Sequence, residues 1–339
     1  MKKKILVIVF FIVYGLIWQF HELIGYGFMQ AKGQLEVVFN AVPIDEVLSN
    51  PNTSQKIKDK INLMQEIRHF AIDSIGLNNS NNYCTYYEQN DKDILWNLSA
   101  CDPFKFKPKE WDFPILGTFS YKGFFDLEAA KAEQSLLDSL SYDTRIRPVS
   151  AWSTLGWFDD PILSNMLKRN KGSLAELIIH ELTHSTIFVK DSLTYNENLA
   201  SFIGEQGAIK FLISKYGIES NEYLNYINSE SDYAKYTHHM LEGFRQLNAL
   251  YKSFQNENRA LKLQKKKILI QKIVDNIDTV SFNNKKRFKG IFEKKLPNNA
   301  SFQSYERYTS KLEEFERIMD KNFNGDIVKY VSFLKEKWQ

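Results

Sequence analysis

The chain has 339 residues, and its 44 lysines and arginines nearly balance its 41 aspartates and glutamates, for a formal net charge of +3. A charge this small argues against a nucleic-acid-binding protein, and the sequence contains no zinc-finger spacing, RNA-binding signature or long basic arm. Hydrophobic residues at 43% and charged residues at 25% are typical of a folded protein rather than a disordered or fibrous one. We therefore expect one main globular body and no nucleic-acid partner.

Residues 1–20 have the pattern of a signal sequence or a signal anchor, with three lysines ahead of an apolar run from Ile5 to about Trp18. No A-x-A cleavage motif follows, so we favour an uncleaved membrane anchor over a cleaved signal peptide. The run is short for a membrane span, which takes about 17–25 apolar residues. The positive-inside rule would place the rest of the chain outside the cytoplasm, facing the periplasm or the cell exterior.

Residues 21–160 are predicted to form helices followed by a sheet. Apolar residues at helical spacing predict two helices over 33–48 with a break at Pro43, and another helix over 57–75. Aromatic and β-branched stretches separated by Pro, Gly and Asp then predict strands and hairpins, with one helix over 127–140. We expect a small mixed β-sheet in this subdomain.

The two cysteines, Cys84 and Cys101, lie in that strand-rich segment. In an exported protein they could form one disulfide, because oxidising compartments favour the bond. Two free buried thiols are an equal alternative.

Residues 161–339 are almost wholly helical in pattern. A long helix is predicted from about Tyr233 to Ile277, and the lysines at 265–267 within it favour a solvated face over a membrane-binding one. The fold class predicted for the whole chain is therefore α+β, with a mostly helical C-terminal half.

Residues 180–184 read HELTH, an H-E-x-x-H motif on a helix for which Ser173 is the predicted N-cap. His180 and His184 are one helical turn apart, so both imidazoles project from one face and can bind one metal ion. Two neutral histidines and a third protein ligand would leave an open position on zinc for water, whose pKa the metal lowers to near 7. Glu181 is then the candidate general base, and later the acid for the leaving amine. The alternative is two structural histidines satisfied by local hydrogen bonds.

Glu197, in the segment TYNENLASFIGEQG, is the candidate third ligand. It opens a predicted helix with Ala200 and Gly204 on about the same face, small residues that would let this helix pack closely against the first. Glu205 is about 12 Å farther along and cannot share the same small metal site, so we expect it in a supporting contact or a salt bridge. Ser201 is a weaker candidate for a supporting contact. Zinc is the preferred metal, because imidazole and carboxylate ligands on an H-E-x-x-H helix suit it.

Several longer segments carry a resemblance to a known family. These are AWSTLGWFDDPILSNML, LIIHELTHSTIFVKDSLTYNENLASFIGEQGA, QAKGQLEVVFNAVPIDEVL, FPILGTFSYKGFFD and LPNNASF. Together they resemble the bacterial predicted aminopeptidases, a zincin family with a glutamate as third ligand, over most of the chain after the N-terminal segment. The resemblance implies a zincin-like fold, zinc bound by His180, His184 and Glu197, and Glu181 as catalytic base. The lipid-attachment cysteine of many relatives is absent, which implies anchoring by the N-terminal helix itself.

Peptide hydrolysis needs further groups, for which the sequence offers candidates. The segment STLGW, residues 153–157, could form the edge strand along which a substrate lies, or an ordinary core hairpin. Asp159 or Asp160 could hold the free amine of a substrate, although Asp160 ahead of Pro161 could equally cap a helix.

A hydrogen-bond donor for the oxyanion is also needed. Tyr195 is preferred because it lies two residues before Glu197, with His238 and His239 as alternatives. The sequence as a whole predicts a membrane-anchored, extracytoplasmic zinc metallopeptidase, an aminopeptidase acting on a peptide or protein substrate. The alternatives are a non-catalytic envelope binding or scaffold protein that keeps the fold, and an endopeptidase of envelope proteins.

Overall fold

The computed structural model describes residues 19–113, 117–149, 159–190, 192–309 and 312–338. Most of the predicted N-terminal anchor and the whole predicted edge strand at 153–157 lie outside these ranges. Within them, no helix combines the length and the apolar character needed to cross a membrane.

The N-terminal part is helical. It contains α1 (His21–Asn40), the short strand β1 (Val42–Pro43), α2 (Ile44–Ser49) and α3 (Gln55–Phe70). The predicted break at Pro43 is confirmed, since α1 ends before it and α2 begins after it. Proline favours such a break because it lacks the backbone N–H that would continue a helix. A π-helical turn, Ala71–Ile75, extends α3 to Gly76, whose φ of 88° is the left-handed conformation that ends many helices.

The described strands form three small sheets. In the first, β1 pairs antiparallel with β2 (Thr85–Tyr87), and β2 pairs parallel with β8 (Ile162–Leu163). In the second, β3 (Trp96–Cys101) lies between β6 (Lys122–Phe124) and β7 (Asp143–Pro148), while β4 (Trp111–Phe113) pairs with β5 (Gly117–Phe119) in the third. The predicted mixed sheet therefore corresponds to the first of these, and the other two are antiparallel.

Helix α4 (Leu127–Ser139) lies where the sequence predicts it, between β6 and β7. The Asp126 carboxylate begins the helix by accepting hydrogen bonds from the backbone N–H groups of Glu128 and Ala129. Cys84 and Cys101 in the surrounding strand region are both free.

The C-terminal half is helical from residue 171 onward. Its helices are α5 (Lys171–Thr186), α6 (Leu193–Tyr216), α7 (Asn221–Ser253), α8 (Arg259–Asp275), α9 (Asn299–Thr309), α10 (Leu312–Phe323) and α11 (Ile327–Trp338). The prediction of an α+β protein with a mostly helical C-terminal half is confirmed. Its division into subdomains at residue 160 stays a prediction.

Two expectations about the basic helix need correction, the second of them at Lys266 only, since Lys267 is exposed as predicted. The predicted helix over 233–277 is two helices, because the Asn258 side chain accepts a hydrogen bond from Leu261 N–H and starts α8 anew. Lys266 is buried rather than solvated, since its ammonium group pairs with the Asp143 carboxylate and donates to the Pro103 carbonyl.

Of the three apolar cores among the described residues, two include residues of α7. The larger one joins α3, α5, α6, α10 and α11 through residues such as Met64, Ile178 and Ile203. The smaller one joins α7, α8 and α9 through Met240, Ile270 and other residues. The H-E-x-x-H helix α5 thus belongs to the larger core, which fixes its position against α6.

Candidate metal centre

Helix α5 carries the H-E-x-x-H motif and is held in the core by the apolar residues around it. Leu174, Ile178 and Leu182 are fully buried. The N-cap is Asn170, whose Oδ1 accepts a hydrogen bond from Ser173 N–H at 2.8 Å. The predicted cap at Ser173 is wrong, because the helix already begins at Lys171 and Ser173 lies in its first turn. Asn170, also a favoured capping residue, accepts the hydrogen bond from the backbone N–H of Ser173.

The two histidines of the motif meet a glutamate from the next helix. The Nε2 atoms of His180 and His184 are 3.1 Å apart. Glu197 on α6 places Oε2 3.9 Å from Nε2 of His180 and Oε1 3.8 Å from Nε2 of His184. One ligand atom from each of the three residues lies within 4.8 Å of the others. The structure thus brings together the three side chains that the sequence singled out as metal ligands.

Small residues allow α6 to approach α5 closely, as predicted. A Cβ atom at Gly204 would lie 2.9 Å from the backbone oxygen of Glu176 and 3.2 Å from Cβ of His180. Ala200, one turn before Gly204, is fully buried in the same contact region. The spacing between the two helices therefore depends on the missing side chain at Gly204, and this spacing sets the distance of Glu197 from the histidines.

The histidines are held in their neutral form. Burial lowers the pKa of His180 to about 3, helped by the positive charges of His184 and Arg169. Burial also lowers the pKa of His184 to about 4. Neutral imidazoles keep the nitrogen lone pairs that a metal ion needs.

The three donors fit a zinc ion. Tetrahedral zinc with bonds of about 2.0–2.2 Å places its ligand atoms about 3.3–3.6 Å apart. The two Nε2 atoms are 3.1 Å apart, and each lies 3.8–3.9 Å from a different oxygen of Glu197, so a shift of the Glu197 carboxylate by less than about 2 Å would bring one oxygen into this range. Two histidines and one carboxylate are also the donor set of catalytic zinc sites, which keep a fourth position open.

Glu181 lies beside the histidine pair and is 7% exposed. Burial, followed by the negative charges of Glu197 and Asp160, raises the pKa of Glu181 to about 8. A carboxylate that binds its proton this tightly is a stronger base than an ordinary surface glutamate.

The ring of Tyr195 contacts α10 and α11. Its ring packs against Phe315, at 5.3 Å between centroids, and against Trp338, at 6.2 Å. Residues two apart on a helix point in nearly opposite directions, so Tyr195 does not share the direction of Glu197. The role of Tyr195 as oxyanion donor stays a prediction that these contacts do not support.

The two alternative donors lie on α7. Nε2 of His239 is 2.8 Å from the backbone oxygen of Ile273, which commits this ring nitrogen to a contact with α8. His238 is exposed.

Asp159 is exposed, whereas Asp160 is buried. The alternative in which Asp160 caps a helix is wrong, because the chain continues into β8. The Asp160 backbone instead bonds to the loop before β2. Its oxygen accepts from Tyr83 N–H at 2.7 Å, and its N–H donates to Asn82 Oδ1 at 2.9 Å.

Three carboxylates that the sequence argument did not group lie beside the centre. Glu176 precedes His180 by one turn on α5, Glu205 lies on α6 and Glu230 on α7. Burial and the charges of the other two raise the pKa of Glu176 to about 8, while Tyr226 Oη donates to its Oε2 at 3.2 Å. In the sequence, the four-residue spacing from Glu176 to His180 indicates that these two side chains share a face of α5, but no local pattern indicates that Glu205 and Glu230 lie near Glu176.

Comparison with known proteins identifies one family. The model of the family described as "Putative aminopeptidase" matches residues 25–337, which include every helix of the metal centre. No curated protein and no solved structure matches the chain significantly. Because the family match extends over nearly the whole sequence, the chain belongs to the putative aminopeptidase family.

Proposed function

We propose that the protein is a zinc-dependent aminopeptidase. The observation that carries the proposal is the convergence of His180, His184 and Glu197, with one donor atom from each within 4.8 Å of the others and the buried Glu181 beside them. A closed structural zinc site would use four protein ligands and would need no adjacent base. The family to which the chain belongs supports a peptide substrate.

His180, His184 and Glu197 would hold the zinc ion. When bound, zinc would supply Lewis-acid chemistry, polarising the peptide carbonyl and making water more acidic. Glu181 would take a proton from the attacking water and deliver it to the leaving amine.

Metal content of the purified protein tests the ligand assignment. We expect about one zinc per chain in the parent, and loss of zinc in His184→Ala and Glu197→Ala, because a site with three protein ligands tolerates no deletion. His238→Ala, which removes an exposed histidine on α7, is the matched control and should keep its zinc. A parent without zinc, even after zinc is supplied and the excess dialysed away, would refute the proposal.

Activity assays test the role of Glu181. Glu181→Gln should keep zinc but lose about 10²- to 10⁴-fold in kcat, the usual contribution of a general base. A chelator should abolish activity, and added zinc should restore it. If chelation merely lowers the melting temperature and no peptide is cleaved, the protein is a non-catalytic binding protein that keeps the fold.

Substrate pairs test whether the activity is that of an aminopeptidase. Peptides with a free N-terminus should be cleaved, and the same peptides with an acetylated N-terminus should not. Equal cleavage of both would assign the site to an endopeptidase instead.

We also propose that residues 1–20 anchor the protein in a membrane with the metal centre outside the cytoplasm. The support is the order of lysines and apolar residues in this segment. Membrane fractionation, followed by protease treatment of cells with a permeable envelope, tests it. Recovery of the full-length chain in the soluble cytoplasmic fraction would contradict it.

A further inference from the structure

Tyr83, in the loop ahead of β2, is completely buried, with 0% exposure. Among the described residues, its hydroxyl has no hydrogen-bond partner. Buried tyrosine hydroxyls usually have a partner, because an unpaired one loses its hydration without compensation. An unpaired buried donor in a native protein therefore calls for a functional or structural reason.

Several contacts impose the conformation of Tyr83. Its φ of 65° lies in the left-handed region, which is unfavourable for a large aromatic residue. Tyr83 N–H donates to the Asp160 carbonyl at 2.7 Å, and Gln65 Nε2 donates to the Tyr83 carbonyl at 2.7 Å. Arg68 Nε donates to the carbonyl of Asn82 just before it. The direction of the ring is thus set by tertiary contacts against the local backbone preference.

These contacts place the ring near Glu181. After burial, the negative charges of Glu181 and then Asp160 contribute most to the raised pKa of Tyr83. Asp160 also raises the pKa of Glu181, so the three groups are neighbours. The same loop is joined to α5 five residues past Glu181, where Asn78 N–H donates to Thr186 Oγ1 at 3.0 Å.

The Glu181 carboxylate accepts no hydrogen bond from the side chains or backbone of the described residues. Burial and nearby charges account for its raised pKa. A buried donor and a nearly buried acceptor, neither with a hydrogen-bond partner among the described residues, therefore lie close to each other.

We propose that Tyr83 is a positioning residue for Glu181, and that its hydroxyl donates a hydrogen bond to the Glu181 carboxylate. The bond directs the carboxylate oxygen that receives the proton during hydrolysis, and in this respect the inference rests on the proposed peptidase function. The contact itself is a property of the fold and can be measured without any substrate.

The contact is tested in the full-length protein by combining Tyr83→Phe with changes at Glu181. Glu181→Leu keeps the side-chain size but removes the acceptor, whereas Glu181→Gln keeps an acceptor oxygen. We expect Tyr83→Phe to lower the melting temperature by about 2 °C in the parent and in Glu181→Gln. In Glu181→Leu, the same change should leave the melting temperature unchanged or raise it, because the hydroxyl has no acceptor there.

Tyr251→Phe is the matched control. The Tyr251 hydroxyl is also buried and donates to Asn299 Oδ1 at 2.7 Å, but it lies in the smaller core. Tyr251→Phe should lower the melting temperature equally in all three backgrounds, since sites without shared partners behave additively. It should leave kcat unchanged.

Kinetics test the positioning role. Tyr83→Phe should lower kcat about tenfold to a hundredfold with KM nearly unchanged and zinc content the same as in the parent. If Tyr83→Phe lowered the melting temperature equally in the Glu181→Leu and parent backgrounds, the proposed hydrogen bond between Tyr83 and Glu181 would be refuted. An active parent with an unchanged kcat in Tyr83→Phe would overturn the positioning role. If the stability coupling is found but the parent cleaves no peptide, the contact stands and the proposed function fails.

Discussion

The close approach of α6 to α5 at Gly204 leads to a specific prediction for Gly204→Ala. The added Cβ would meet the backbone oxygen of Glu176 at 2.9 Å and Cβ of His180 at 3.2 Å. Neither neighbour can rotate away, because one is a backbone atom and the other is attached directly to the backbone. The two helices must therefore move apart.

The size of the movement follows from these distances. Ordinary van der Waals contact begins at 3.4 Å, so a contact at 2.9 Å requires a separation of about half an ångström. Overpacking of this kind costs about 1–3 kcal/mol, and the helix propensity of alanine offsets about 1 kcal/mol of it. We expect a net loss of about 0–2 kcal/mol in the free energy of unfolding.

Gly204→Ala should affect zinc binding more strongly than the free energy of unfolding. Metal–ligand distances tolerate changes of only about 0.2 Å, and Glu197 moves with α6 while the histidines stay on α5. We expect zinc to bind about 10- to 100-fold more weakly, measured by competition with a chelator of known affinity. Thermal unfolding with and without zinc should then show a smaller stabilisation by the metal than in the parent.

Gly27→Ala in α1 is the control for this experiment. Apart from its chain neighbours and the backbone of its own helix, no atom of the described residues lies within 4 Å of the position where its Cβ would be added. Alanine should therefore stabilise the helix by about 1 kcal/mol and leave zinc affinity unchanged. If Gly204→Ala bound zinc as tightly as Gly27→Ala and were equally stable, the spacing between α5 and α6 could not be what positions Glu197.

Two further predictions concern buried charges. Lys266→Met should lower the free energy of unfolding in denaturant by about 3 kcal/mol, because it leaves the partly buried Asp143 carboxylate without its ammonium partner. Lys265→Met, which breaks a more exposed pair with Glu257, should cost less than about 1 kcal/mol, and equal losses would contradict this reasoning. Burial, then the charges of Glu230 and Glu316, raises the pKa of Glu205 from 4.5 to about 7. The folded protein then retains a proton that the unfolded chain has lost, so the free energy of unfolding should fall as the pH rises from about 4.5 to 7. Glu205→Gln should make this pH dependence shallower, and an unchanged slope would refute the assignment.

The features of the fold that depend on residues adjacent in the chain could be predicted from the sequence. The break at Pro43, the end of the α3 segment at Gly76 and the helix after Asp126 follow from local backbone rules, and the structure confirms them. The shared face of His180 and His184 follows from helical periodicity alone. Glu197 was accessible for a similar reason, because the small residues after it indicated which face of α6 could approach another helix.

Contacts between segments that are far apart in the chain could not be predicted in this way. Lys266 reads as part of a solvated lysine run, yet it is buried against Asp143, 123 residues away in the chain. The N-cap of α5 was assigned to Ser173 although Asn170 is equally suited, because only the observed backbone direction distinguishes the two.

The tyrosines show the difference most clearly. The sequence by itself determined the metal-binding pair and its base, because a helix repeats every 3.6 residues whatever surrounds it. It favoured Tyr195 for its proximity to Glu197 along the chain, but tertiary packing directs that ring toward Phe315 and Trp338. Tyr83 lies next to Glu181 only because its contacts with Asp160 and Gln65 impose a backbone conformation that tyrosine does not prefer by itself. Such placements depend on how whole elements pack, which no local pattern of residues encodes.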